Sequence, residues 1–240
     1  MILKHIYLDK LFLFFLIIII LTGHFNEFFP YFSLLIIHEM GHAITGILLG
    51  YKLDKVVLYP YGGITKFNLP LNIPLKKELL ILIMGPLMQV IGYLILNNFF
   101  YNIKLYHYTL LIFNLLPLYP LDGGKILNIL FCYRFNYLKS FYLTFVISII
   151  MIILLMIYNF YNFNLNMVLM TFVMFYKLYC TYQKRYYYYN RFLLERYLYH
   201  YQFKKIKTIS NIKDFYRDNK HFINFNDEEH ILKDYFMKNN

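Results

Sequence analysis

The sequence predicts an all-α polytopic membrane protein: about six transmembrane helices, a short β-hairpin near the membrane face and a small cytoplasmic C-terminal tail. Three observations predict it. Of 240 residues, 60% are hydrophobic and 22% aromatic, with a mean hydropathy of +0.45, more apolar than a soluble domain of this length normally is. Runs over residues 11–21, 141–157 and 165–178 carry almost no charge and approach the roughly 20 residues that cross a bilayer. Half of the 24 Lys and Arg residues follow Tyr182, a basic tail that suits the cytoplasmic side of a membrane.

In chain order, spans are expected over residues 8–23, 29–49, 78–98, 108–132, 141–158 and 164–181. Lys4 and Lys10 lead into the first apolar run, but no small-residue cleavage site follows Leu21 and further spans come after it. The first span therefore reads as a retained helix and not a secretory leader. The interval 51–77 carries Lys52, Lys55, Lys66, Lys76 and Lys77, whereas 24–28 and 159–163 have neither Lys nor Arg. The positive-inside rule then places this loop and both termini in the cytoplasm. Arg134 and Lys139 agree; Lys104 is the exception.

Inside the basic loop, residues 56–58 and 64–67 flank Tyr59-Pro60-Tyr61-Gly62-Gly63, a pattern of two short strands around a turn. The open edge of such a hairpin can pair with an extended peptide; a plain connector is the other reading. The polar, charged residues 184–240 form a cytoplasmic basic tail, a reduced regulatory region behind a membrane domain of residues 1–183. The formal net charge of +11 is concentrated in that tail with no nucleic-acid-binding motif, so the expected partner is a lipid surface and not nucleic acid. Cys132 and Cys180 belong to no C-x-x-C pair and indicate neither a disulfide framework nor a thiolate metal site.

Chemistry concentrates on the second span, in His38-Glu39-Met40-Gly41-His42. Residues four apart on a helix differ by about 40° in direction and about 6 Å in height, so both imidazoles can converge on one ion. Glu39 stands where it can deprotonate a water that zinc acidifies. Eight histidines and six glutamates scattered over 240 positions would produce H-E-x-x-H by accident about 0.007 times. A charged group in mid-bilayer costs about 2.5–3.5 kcal/mol on insertion scales, so it needs a reason to be there. Packing between helices is the bland reading of these histidines.

A catalytic zinc normally takes three protein ligands, and Asp122 is the one other acidic residue inside an apolar span. It stands in Asn114-Leu115-Leu116-Pro117-Leu118-Tyr119-Pro120-Leu121-Asp122-Gly123-Gly124, where prolines and glycines break the helix. Irregular backbone at membrane depth is tolerated where protein or a water-filled cavity covers it. Asp122 reads as a third ligand or as the cap of a helix starting near Gly124. Asn114 reads as a hydrogen-bond donor near substrate or as a bridge between helices. Gly85 permits close packing of the third span and Gln89 offers an interhelical hydrogen bond, while the histidines at 5, 24, 107, 200, 221 and 230 read as ordinary polar residues.

H-E-M-G-H followed some way on by N-L-L-P-L-Y-P-L-D-G-G resembles the site-2 protease family of intramembrane zinc metalloproteases. The resemblance covers residues 32–128. It implies that His38, His42 and Asp122 bind Zn2+, that Glu39 activates water, that Asn114 assists near the scissile bond, and that the Gly62-Gly63 hairpin holds an extended substrate. The interval between the motifs is too short for a PDZ domain, which favours the six-span sporulation branch. That branch implies a membrane-tethered transcription-factor precursor as substrate, regulatory membrane proteins as partners, and a place in the mother-cell membrane facing the forespore. Residues 191–197 and 215–236 are also similar to it. Gln89 departs from the family's G-P-x-x-N, and the tail is short for a full nucleotide-sensing CBS module. The rival class is a non-catalytic membrane metal carrier or scaffold; a carrier would spread ionisable residues over several spans, and here they concentrate on two.

Overall fold

The computed structural model describes residues 5–23, 25–59, 62–68, 70–100, 102–199, 201–203, 205–223 and 226–238. Lys4, the turn residues Pro60 and Tyr61, His24, His200 and Lys204 lie outside them. The chain packs as two compact units, residues 1–69 with 77–116 and residues 70–76 with 117–240.

The first unit opens with β1 (Ile6–Leu8), α1 (Lys10–Thr22) and α2 (Phe25–Leu48), followed by β2 (Leu53–Tyr59) and β3 (Gly62–Phe67). The predicted hairpin is present: β2 and β3 are antiparallel, with Val57 opposite Ile64 and Tyr59 opposite Gly62. The sequence reading missed β1, which pairs in parallel with β2 and gives the sheet order β1-β2-β3. Along β2, Val56 and Leu58 alternate inward, as the two-residue period of a strand requires. They join Phe12, Leu34, Leu35, Ala43, Ile103 and Leu110 in one core. The unit closes with most of α3 (Leu75–Leu96) and with α4 (Ile103–Leu115).

The second unit contains α5 (Asp122–Cys132), α6 (Tyr137–Tyr161), α7 (Leu165–Gln183) and α8 (Arg185–Tyr199). The expected span over 108–132 is thus two helices, of 13 and 11 residues, with the proline-bearing break between them. Each reaches at most about 20 Å at 1.5 Å per residue, short of the roughly 30 Å hydrocarbon core. On α6 the hydroxyls of Ser140, Thr144 and Ser148 lie one turn apart and are buried. Thr144 accepts from Asn128 Nδ2 at 3.1 Å, and Ser148 accepts from the Tyr119 amide at 2.9 Å. The second bond satisfies a backbone N–H that the break leaves without a helical partner.

Among the described residues, three helices are long and apolar enough to cross a membrane: Asn26–Leu48, Leu75–Leu96 and Tyr137–Tyr161. Their outer faces expose large apolar side chains such as Leu94 and Ile95 on α3 and Ile150, Ile153 and Leu154 on α6.

The tail is more structured than its composition suggests. β4 (Lys205–Thr208), β5 (Asn219–Ile223) and β6 (Asn226–Asp227) form a second sheet, with β4 parallel and β6 antiparallel to β5, and α9 (Glu228–Lys238) follows. Tyr189, Phe192, Leu193, Phe215 and Leu232 are its core. At its centre the Arg196 guanidinium donates to Asn72 Oδ1 at 2.7 Å, Asn219 O at 2.8 Å, Glu228 Oε1 at 2.9 Å, Tyr216 O at 2.7 Å and Arg217 O. His221, expected to be an ordinary polar residue, is fully buried here. Its Nε2 accepts from the Tyr216 amide at 2.9 Å, so in the neutral ring Nδ1 carries the proton, aimed at Glu228 Oε2 3.3 Å away. Burial pushes the His221 imidazole below its usual range, and the Glu228 hydrogen bond offsets this only in part.

Candidate metal centre

One helix delivers three of the candidate residues together. On α2 the side chains of His38, Glu39 and His42 are all buried, between 1% and 5% exposed. The two rings meet edge to face with centroids 4.9 Å apart, and their Nε2 atoms lie 3.2 Å from each other. At the far side of each ring stands an acceptor: Gln89 Oε1 is 3.0 Å from His38 Nδ1, and the Ile81 carbonyl is 2.8 Å from His42 Nδ1. Two nitrogens of one tetrahedral zinc, each bound at about 2.0–2.1 Å, sit about 3.3 Å apart. The spacing of the two Nε2 atoms therefore fits a shared ion, and so does the donor set, since imidazole is a common zinc ligand.

Close approach to these side chains requires glycine at two places. A Cβ on Gly85 would overlap the His42 ring, and a Cβ on Gly63 would overlap the Glu39 carboxylate. What the close packing at Gly85 accommodates is the imidazole itself. Gly85→Ala is expected to displace the His42 ring and lower metal affinity by about 10-fold or more, at the lower end of what disturbing a ligand's support costs. Chelator competition on the purified variant checks this, and wild-type affinity would refute it.

The hairpin reaches the same helix. Thr65 on β3 donates its hydroxyl to Glu39 Oε2 at 2.6 Å, with a longer contact of 3.3 Å to the Glu39 carbonyl. Thr65 was missed because nothing in a lone threonine on a strand announces its partner. Gly62 and Gly63 begin β3, opposite Tyr59 and Leu58. His107, set aside as an ordinary polar residue, is buried on α4 and stacked on Tyr93 with ring centroids 4.3 Å apart. Asn114, near the end of α4, is buried too, and its Nδ2 has no hydrogen-bond partner among the described residues.

Asp122 belongs to the second unit. It is the first residue of α5, one position beyond the N-cap, which Leu121 fills without a side-chain bond. The helix thus starts at Asp122, two residues before Gly124, with the carboxylate in its first turn. Asp122 is 8% exposed, and the Lys125 ammonium lies 3.5 Å from its Oδ1.

Comparison with known proteins agrees with this chemistry. The family model described as Peptidase family M50 matches residues 28–97. Stage IV sporulation protein FB of Bacillus subtilis is 31% identical over 191 residues, which cover 74% of this chain and 66% of that protein. A zinc metalloprotease of Methanocaldococcus jannaschii is 34% identical over 149 residues, 54% of this chain and 43% of that protein. The chain therefore spans just under two thirds of the bacterial relative and less than half of the archaeal one. The solved structure of a site-2 protease from M. jannaschii superimposes with a TM-score of 0.55 at 29% identity, covering 72% of this chain and 88% of that one.

Proposed function

Because the chain belongs to peptidase family M50, the site-2 proteases, we propose that it is an intramembrane zinc metalloprotease. The observation that carries this reading is the convergence of the His38 and His42 Nε2 atoms beside the buried carboxylate of Glu39. His38 and His42 hold the zinc, and Asp122 is the third protein ligand. In favour of Asp122 are its burial and the scarcity of other carboxylates in apolar spans. When bound, zinc supplies Lewis-acid chemistry, polarising a carbonyl and acidifying water.

The chain's own residues do the rest. Glu39 removes a proton from the attacking water; as the peptide C–N bond breaks, the same carboxyl passes that proton to the leaving amine. Thr65 fixes the carboxylate by donating to Oε2. Asn114, with its unused amide donor, bonds the substrate backbone near the scissile bond. β3, the strand that starts at Gly62 and Gly63, holds the unwound substrate in extended form.

The substrate is a membrane-tethered protein, and the relation to Stage IV sporulation protein FB points to a sigma-factor precursor processed during sporulation. The protein sits in the mother-cell membrane facing the forespore, with both termini cytoplasmic, and answers to regulatory membrane proteins. Residues 1–183 form the protease domain and 184–240 a cytoplasmic regulatory appendage.

The test is zinc content and cleavage of a membrane-tethered substrate by detergent-purified protein, wild type and Asp122→Asn. Asn keeps the helix-end polarity but removes the charge at the metal. The wild type should carry one zinc and cleave; the variant should stay folded and lose at least about 10-fold in both zinc affinity and cleavage, the size expected for weakening a metal ligand. Zinc-free wild type would overturn the protease reading, and a normal Asp122→Asn variant would overturn the ligand assignment.

A further inference from the structure

Resting on that reading, we infer that Gln89 is a positioning residue for the metal centre: its amide, held in one orientation by His107, fixes the tautomer of His38 that can bind zinc. A glutamine amide alone is ambiguous, because its oxygen and nitrogen are interchangeable in shape. Here the surroundings decide. The Nε2 end lies 3.0 Å from the backbone carbonyl of His107. A carbonyl oxygen can only accept, so the NH2 group must face it, and the Nδ1 of the same histidine, 3.4 Å away, gives the amide nitrogen a second acceptor. The Oε1 end is thereby turned to His38 Nδ1 at 3.0 Å. Oxygen in that position accepts, so Nδ1 must carry the proton and Nε2 must keep its lone pair.

The same logic applies on the other ligand through a simpler partner. His42 Nδ1 faces the Ile81 carbonyl at 2.8 Å, which is likewise an acceptor only. Both imidazoles are therefore set with Nε2 lone pairs facing the space between them. Gln89 is fully buried, and His107 is held by its stacking on Tyr93. A metal-binding histidine normally donates its other ring N–H to such an acceptor, which raises its basicity and fixes its plane.

Two substitutions separate this role from packing. Gln89→Met fills the same volume without an acceptor; Gln89→Glu keeps an oxygen toward His38 and, when protonated, a donor toward the His107 carbonyl. Zinc affinity is measured by chelator competition on purified protein, alongside the thermal midpoint. If Gln89 positions His38, the Met variant should lose about 10- to 100-fold in zinc affinity, the range for removing such a supporting contact, while Gln89→Glu stays within a few-fold of wild type. If Gln89 only packs, the order reverses, with Met tolerated and the buried acid harmful, and the inference is overturned. Equal loss in both variants with a lowered thermal midpoint also overturns it. Wild type that binds no zinc is a different failure, that of the protease reading itself.

Discussion

Glu39→Gln is expected to abolish cleavage, by about 10²–10⁴-fold for loss of a general base, while zinc remains bound at wild-type stoichiometry. The amide cannot take a proton from water, yet it keeps the shape of the carboxylate. Its oxygen can still accept from Thr65, whose hydroxyl now bonds Glu39 Oε2 at 2.6 Å, so little else should move. His38 and His42 keep their own partners at Gln89 and Ile81, which is why metal binding should survive. Cleavage of a co-reconstituted substrate and metal analysis on the same preparation make the comparison. Activity above a few per cent of wild type would remove Glu39 from the role of base.

The second large effect is expected in the tail. Arg196→Met should destabilise the tail by about 3–5 kcal/mol, the usual result of breaking a buried pair from one side. The substitution removes the buried cation beside the Glu228 carboxylate, only 10% exposed, and leaves the carbonyls of Tyr216, Arg217 and Asn219 without this donor. Arg196→Lys keeps the charge but presents a compact ammonium in place of a planar fork, so it should recover only part of the loss. Limited proteolysis after α8 on the full chain reads this out, and an Arg196→Met tail as resistant as wild type would contradict it.

The same cluster gives the tail a pH dependence of defined sign. For Glu228, burial alone would raise the carboxyl, but the hydrogen bond from His221 and the Arg196 charge outweigh it and hold it below the usual carboxylate range. His221 is also lowered, chiefly by burial, with Arg196 and Lys207 adding repulsion. Both groups bind protons less readily in the fold than in the open chain, so stability rises with pH. It is fully present above the unfolded histidine value of about 6.5 and declines as pH falls below it; a further loss follows below the unfolded glutamate value of about 4.3. Protonated His221 would also lose its bond from the Tyr216 amide, whose acceptor is the Nε2 lone pair.

Several parts of this molecule were legible from local spacing. H-E-x-x-H needs only the turn of one helix to bring two imidazoles together, so His38, Glu39 and His42 could be named before any packing was known. The hairpin was legible for a similar reason, because the β2–β3 turn is bounded by glycine and proline and its partners are adjacent in the chain. The break before Asp122 could be seen in its prolines and glycines, though not that it divides the expected span into two short helices. His107 and His221 were misjudged because a histidine's environment is set by elements distant in sequence: Tyr93 and Gln89 for one, Arg196 and Glu228 for the other.

Composition and the periods of helix and strand were enough to read a chain with long apolar helices, a basic tail and residue types able to bind and activate, though not the number of spans. How those side chains are held follows from packing between distant segments. Thr65 reaches Glu39 from β3, Gln89 and His107 orient His38 from α3 and α4, and Gly85 admits the His42 ring. Hydrogen-bond direction depends on which acceptor stands within about 3 Å, and that neighbour is chosen by packing between segments whose separation along the chain carries no record of it.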